Sequence, residues 1–376
     1  MSAENFFDNL KNDLSFSGNR EKEATCLKRY NKRGDGRLDQ DEFHEMCLDL
    51  FVDDGKSFPL TETESRRIFE QLDDNQDNYI DRDEFHILWR YWLPMILQPK
   101  AALIAVDVQN DFIDGSLAVA QAEEIVPVIN RILDDEGMFE QVIYTYDWHP
   151  ENHVSFHNNV CLRNIHHTSK VQQKDACVFD TVVFDGHVPM EQTLWPAHCV
   201  QHSHGAKLHA DLKITKDHVD IYKGVCDHVD SYSAFFDNQR LSQTELAVAL
   251  CDRRITDVYV CGLAYDVCVR HTAIDAASLG FRPFVIEDAC RGLTTESCDK
   301  ARREMEEAGC IMVSSTQVKS MAEANTRVPK MALQAAENVA LARRKAKVKL
   351  ASMNSDHGDK PLTNGFVVEN SSSLDM

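Results

Sequence analysis

The chain has 376 residues, a formal net charge of -21 and a hydrophobic fraction of 43%. That length exceeds one compact core of ordinary size, and no apolar run reaches the roughly 20 residues that a membrane span needs. The acidic balance repels nucleic-acid phosphates and anionic lipid, which excludes both as general partners. Met1 to Asp13 mixes charges into its apolar residues and lacks the basic-then-apolar order of a secretory signal. The twelve cysteines are scattered along the chain, which fits reduced thiols, most of them buried small hydrophobes. The expectation is an intracellular chain, cytoplasmic or nuclear.

Residues 1–95 alternate amphipathic helical patterns with two short acidic loops, as in an all-α pair of helix-loop-helix units. In the second loop, Asp73, Asn75, Asp77, Asp81 and Glu84 place oxygens at positions 1, 3, 5, 9 and 12 of a twelve-residue EF-hand loop. The Tyr79 carbonyl supplies position 7, and Asn78 replaces the usual glycine at position 6, where asparagine tolerates a left-handed backbone. This loop is expected to bind calcium. The first loop, Asn31 to Glu42, keeps Gly36, Leu38 and Glu42 in register but has Arg33 where an oxygen is wanted. A cation in the coordination sphere opposes calcium, so the loop reads as a degenerate partner that packs against the second.

Pro94 and Pro99 end the helical pattern, and residues 96–100 are expected to form a linker. A short apolar run, Ala101 to Asp107, then reads as a strand buried on both faces. A helix over 125–133, strands at 141–146, 257–263 and 282–287, and a helix over 264–279 complete an alternation of strands and helices. The fold class is α/β, a doubly wound, mostly parallel sheet over 101–330, with ligands expected where the strands end. Residues 157–190, rich in His and Asn, read as a surface insertion. Residues 331–349 are basic and helix-prone, and 350–376 lack any apolar period and are expected to be disordered.

Chemistry-bearing residues gather at the expected strand ends. Asp107 stands after the first strand, where a half-buried carboxylate acts as a base with a raised pKa. In Asp147-Trp148-His149, extended geometry points two potential metal ligands the same way. His198, in Trp195-Pro196-Ala197-His198, offers a third ligand, with His153, His157 and His187 as competitors; three ligands and an open position describe a catalytic zinc site. Lys223 stands beside Gly224. Cys268 follows the Cys261-Gly262-Leu263-Ala264 turn and is expected in the first turn of a helix, where the dipole and a nearby lysine favour a thiolate. Cys261, inside the strand, is expected to be an inert core thiol.

Taken together and in this order, these motifs resemble the nicotinamidase branch of the isochorismatase-like hydrolases over roughly Ala101 to Val318. The resemblance implies a catalytic triad of Asp107, Lys223 and Cys268, with a divalent metal, usually zinc, on Asp147, His149 and His198. It implies a cis peptide between Leu263 and Ala264, an oxyanion hole from the amides of Ala264 and Cys268, and a pocket lined by Phe112, Trp195 and Tyr232. Asp230 matches a carboxylate that reaches the metal through water, while Val267 departs from an aromatic residue common in that branch. The implied reaction is hydrolysis of nicotinamide to nicotinate and ammonia through a cysteine thioester, in NAD salvage. Alternatives are a hydrolase of another small amide or ureido compound, and a calcium-responsive binding protein with a vestigial hydrolase domain. A homo-oligomer is compatible with the sequence.

Overall fold

The computed structural model describes residues 5–135, 137–186 and 188–355. In the N-terminal module, helices α1 (Arg20–Tyr30), α2 (Gln40–Leu50), α3 (Glu62–Leu72) and α4 (Arg82–Ile87) flank the two acidic loops. Helices α2 and α4 start on capping boxes, Asp39 with Glu42 and Asp81 with Glu84, which satisfy backbone donors at both helix starts. The loops pair through Leu38 and Ile80, whose backbones exchange hydrogen bonds of 3.0 and 2.8 Å.

Pro94 does not break the helical path. Leu88–Trp92 is a π-turn, with Leu93 N–H bonding Leu88 C=O, and Leu93–Leu97 continues as α-helix. The wider turn absorbs the proline's missing donor and ring bulk. Ile96 and Leu97 are buried in the module's core, so the part of the expected 96–100 linker nearest the module is packed helix.

The second module is a six-stranded sheet of β1 (Ala101–Val106), β2 (Gln141–Asp147), β3 (His218–Lys223), β4 (Asp257–Gly262), β5 (Arg282–Cys290) and β6 (Ile311–Val313). Its order is β6-β5-β4-β1-β2-β3, and every neighbouring pair is parallel. Helices such as α5 (Ile125–Leu133) and α6 (Arg270–Ser278) flank the sheet. The chain runs outward from β1 through β2 to β3, then returns to β4 beside β1 and runs outward the other way. That reversal opens a crevice at the carboxyl ends of β1 and β4, where ligands bind in such sheets. Gly262 ends β4 at φ 114°, and a Cβ there would lie 2.1 Å from the Val106 carbonyl oxygen, so only glycine allows the two strand ends to approach this closely.

The 157–190 insertion shares a small core with its flanks, made of Val154, Val160, Val182, Phe184 and Leu194, beside a hairpin of Thr181–Phe184 and Met190–Thr193. Helix α7 (Pro329–Ser355) is not a free surface element. Ala332, Ala335, Ala336 and Val339 pack into the N-terminal core, and Trp92 Nε1 donates to the Ala332 carbonyl at 2.8 Å. The other side of α7 meets the sheet module, where Asn338 donates to the Gly280 carbonyl at 2.7 Å. The helix runs on to Ser355, past the boundary at 350 expected for a disordered tail, while 356–376 lie outside the described residues. Among the described residues no helix is long and apolar enough to cross a membrane.

Candidate active site

Four parallel strands deliver the site. Asp107 follows β1, Asp147 ends β2, Lys223 ends β3, and Cys268 lies in a π-turn, Tyr265–Val269, shortly after β4. The Lys223 ammonium is 2.9 Å from Asp107 Oδ2 and 3.4 Å from Cys268 Sγ, and it also pairs with Asp147 Oδ1. It donates to the Ser231 carbonyl at 3.0 Å. Asp107 is fully buried; its other oxygen accepts from Thr145 Oγ1 at 2.5 Å, and its backbone sits at φ 49°, which turns the side chain into the crevice. The resemblance's cis peptide is present between Leu263 and Ala264.

Burial pushes the Asp107 carboxyl above the usual carboxylate range, although Lys223 opposes the shift. Burial also disfavours charge on Asp147, but Lys223 and His149 outweigh it and hold that carboxyl well below the usual range. Cys268 differs from expectation. Burial pushes its thiol well above the ordinary value, and Lys223 opposes this without overcoming it, while Asp107 and Asp147 add to it. The helix-start argument took no account of the sulfur's burial or of the two carboxylates beside it. Burial thus raises the proton affinity of both the Cys268 thiol and the Asp107 carboxyl. Cys261, as expected, is fully buried in β4.

The candidate metal ligands converge. One ligand atom each from Asp147, His149 and His198 lies within 4.8 Å of the others. Asp147 Oδ2 is 3.4 Å from His149 Nε2 and 3.6 Å from His198 Nε2. Tetrahedral zinc with bonds of about 2.1 Å separates its ligands by about 3.4 Å, so the donor set fits a zinc-sized cation. Nδ1 of His149 faces the Gly224 carbonyl at 2.9 Å and Nδ1 of His198 faces the Pro196 carbonyl at 2.8 Å. Each carbonyl fixes the tautomer that presents the Nε2 lone pair to the centre. Gly224 makes room for this arrangement, since a Cβ there would lie 2.3 Å from the His149 ring.

Among the competing histidines, His153 stacks on His149 at 3.9 Å between ring centroids and bonds Ser155, and its Nε2 has no partner among the described residues. His153 and Asp230 both come within ligand distance of His149. His157 bonds the Ala176 carbonyl in the insertion, and His187 lies outside the described residues.

Two residues missed as site residues brace this centre. The Gln109 amide, fully buried, accepts from Asp147 N–H at 2.9 Å and donates to the carbonyls of Asp147 at 2.8 Å and Ala206 at 2.9 Å. Asp111 accepts from Cys199 N–H at 2.7 Å and so anchors the turn that follows His198. Both stand in the Asp107–Asp111 segment, whose polar residues after a buried strand were the available signal.

Phe112, Trp195 and Tyr232 line a cleft that also contacts Asp147, His198 and Cys268. Leu117, Val119 and Leu293, which sequence reasoning passed over, complete its apolar wall, and Val267 also faces it. Behind Val267, His271 packs 5.2 Å from the Tyr232 ring and bonds the Val267 carbonyl at 2.8 Å.

A family profile for the isochorismatase domain matches residues 101–317, more than half of the chain. The chain belongs to the isochorismatase family. A profile for an EF-hand domain pair matches residues 20–90 of this isochorismatase-family chain. It is 40% identical over 222 residues to the nicotinamidase of Acinetobacter baylyi, covering 58% of this chain and 94% of that protein. It is 41% identical over 210 residues to the nicotinamidase of Escherichia coli, covering 55% and 91%. Among solved structures, a nicotinamidase and pyrazinamidase of Acinetobacter baumanii superposes with a TM-score of 0.51 at 41% identity, covering 58% of this chain and 99% of that one. Yeast nicotinamidase bound to the inhibitor nicotinaldehyde superposes with a TM-score of 0.51 at 30% identity, covering 57% and 99%.

Proposed function

We propose that this isochorismatase-family chain is a nicotinamide amidohydrolase with Asp107, Lys223 and Cys268 as its catalytic residues. The observation that carries the reading is the buried Lys223 ammonium, which touches both the carboxylate of Asp107 and the sulfur of Cys268 at one end of an aromatic-lined cleft. Similarity to nicotinamidases over nearly their whole length supports the substrate.

In the proposed reaction, Asp107 takes the proton of Cys268 as Sγ attacks the carboxamide carbon, which spares the enzyme a standing buried thiolate. The amides of Ala264 and Cys268 hold the resulting oxyanion. Asp107 returns the proton to the departing nitrogen, which leaves as ammonia, and a nicotinoyl thioester remains on Cys268. Water, deprotonated by Asp107, attacks that thioester and releases nicotinate and the thiol. Lys223 stays protonated throughout and balances the charge that moves between Asp107 and the sulfur. Phe112, Trp195 and Tyr232 flank the pyridine ring.

Asp147, His149 and His198 would hold a divalent metal, with Asp230 reaching it through water. Bound there, the metal supplies a template that holds the pyridine nitrogen and water. In the N-terminal module we assign calcium to Asp73, Asn75, Asp77, Tyr79 and Glu84. Two features support this: Asp73 Oδ1 is buried with no partner among the described residues, and burial pushes the Glu84 carboxyl up. Supplying nicotinamide to the purified chain with zinc and measuring ammonia and nicotinate tests the proposal. Release of both in equal amounts is expected, and no release rejects it.

A further inference from the structure

The first acidic loop, Asn31 to Glu42, has every oxygen that an EF-hand needs at positions 5, 7, 9 and 12, namely Asp35, the Arg37 carbonyl, Asp39 and Glu42. Each of these is already engaged by a nitrogen from position 1 or 3 of the same loop. The Arg33 guanidinium reaches Asp39 at 2.9 Å, Glu42 at 3.2 Å and Asp35 at 3.6 Å. The Arg33 backbone N–H also donates to Glu42 at 3.0 Å. The Asn31 amide donates to Asp35 at 2.9 Å and to the Arg37 carbonyl. The opposite orientation of that amide would aim its oxygen at two acceptors, so the hydrogen-bond pattern decides the assignment.

We infer that Arg33 is a built-in cation that takes the place of calcium in the first loop and holds it closed without metal. The inference deepens the calcium reading of loop 73–84 and rests on it for the contrast between the loops. Glu42 and Glu84 occupy the same position and have the same burial, 5% and 4% exposed. Glu42 has a guanidinium partner, whereas among the described residues the Glu84 carboxylate accepts only from backbone N–H groups, those of Asp74 at 2.7 Å, Asn75 at 3.2 Å and Asp81 at 3.1 Å. A guanidinium delivers one positive charge and several directed donors, enough for three carboxylates around a partly exposed loop, and it is never deprotonated.

The internal cation is held from the other loop as well. The guanidinium of Arg33 lies 5.3 Å from the centre of the Tyr79 ring, and that of Arg37 lies over the same ring at 3.6 Å. Tyr79 is position 7 of the calcium loop. With the Leu38–Ile80 backbone pair, this ring joins the loop held by Arg33 to the loop assigned to calcium. The module is therefore a one-calcium device, and its first loop serves as a fixed support for the second.

Calcium stoichiometry of the full chain, measured by titration calorimetry, tests this. The wild type is expected to bind one calcium and Glu84→Gln none. Adding Asn31→Asp and Arg33→Asp to Glu84→Gln is expected to restore one site, with a Kd of about 10⁻⁴ M or tighter. Two calcium ions on the wild type, or one on Glu84→Gln, would overturn the inference. So would the triple variant binding none while it still turns over nicotinamide. A wild type that binds none, beside an Asn31→Asp, Arg33→Asp variant that binds one, would sink the loop 73–84 reading and leave the Arg33 assignment standing. Arg33→Gln alone gives an independent check should the triple variant not fold: millimolar calcium is expected to raise its Tm by more than that of the wild type, and equal shifts count against the inference.

Discussion

Lys223 and Asp107 form an ion pair at 2.9 Å in which neither side chain has any exposure to solvent. Removing one partner of a buried pair leaves the other charge uncompensated, at a cost of about 3–5 kcal/mol. Lys223→Met strands both Asp107 and Asp147. It is expected to lower the unfolding free energy by about that amount and kcat by about 10²–10⁴, read by denaturant melts and ammonia release. Unchanged turnover would remove Lys223 from the triad.

Asp107 must be ionised to accept the thiol proton, and burial raises its carboxyl. The acid therefore persists at pH values where an ordinary aspartate, near pKa 3.9, is already charged. As pH falls, kcat/KM should decline through a midpoint above that ordinary value. A steady-state pH profile on nicotinamide checks it, with Asp107→Asn expected to be inactive across the range.

Metal retention should depend on a residue that touches no metal. Gln109 grips the Asp147 backbone on both its N–H and C=O. Loss of such outer contacts typically costs 10–100-fold in metal affinity, so Gln109→Leu should weaken zinc binding by about that factor. Chelation should silence the wild type, and added zinc should restore it. Competition with a chromophoric chelator measures the affinity, and equal affinities for the two proteins would refute the bracing role.

At the opposite end of the sheet, Arg282 and Asp257 make two hydrogen bonds of 2.6 and 2.9 Å, both side chains being fully buried. Arg282 also bonds the Met95 carbonyl and so ties the sheet to the N-terminal module. Arg282→Met should destabilise by about 3–5 kcal/mol, and Asp257→Leu added to it should recover much of the loss. Thermal unfolding of both variants checks this; a single variant as stable as the wild type would contradict it.

The apolar runs of β1, β2, β4 and β5 were legible because strands buried on both faces have continuous hydrophobic sequence. Strand β3 was not. It forms the sheet's edge, and its His218, Asp220 and Tyr222 leave no apolar run to read. The role of α7 was hidden for a different reason. Its alanines at 332, 335 and 336 and Val339 have the spacing of a helix face, but the surface they cover is formed more than two hundred residues earlier. The grouping of Asp107, Lys223 and Cys268 was implied by the resemblance and not by any single motif, since a lysine beside a glycine carries no signal of its own. The upward shift of the Cys268 thiol was not legible, because it depends first on burial in the folded site and then on two carboxylates brought to the sulfur by separate strands.

The most direct test of the account is a rapid-quench experiment with nicotinamide, read by mass spectrometry of the intact chain and its peptides. A transient nicotinoyl group on Cys268 is predicted, with Cys261 unmodified and both adduct and ammonia lost in Cys268→Ala. Ammonia release that survives in Cys268→Ala, or an acyl group on another residue, would contradict it.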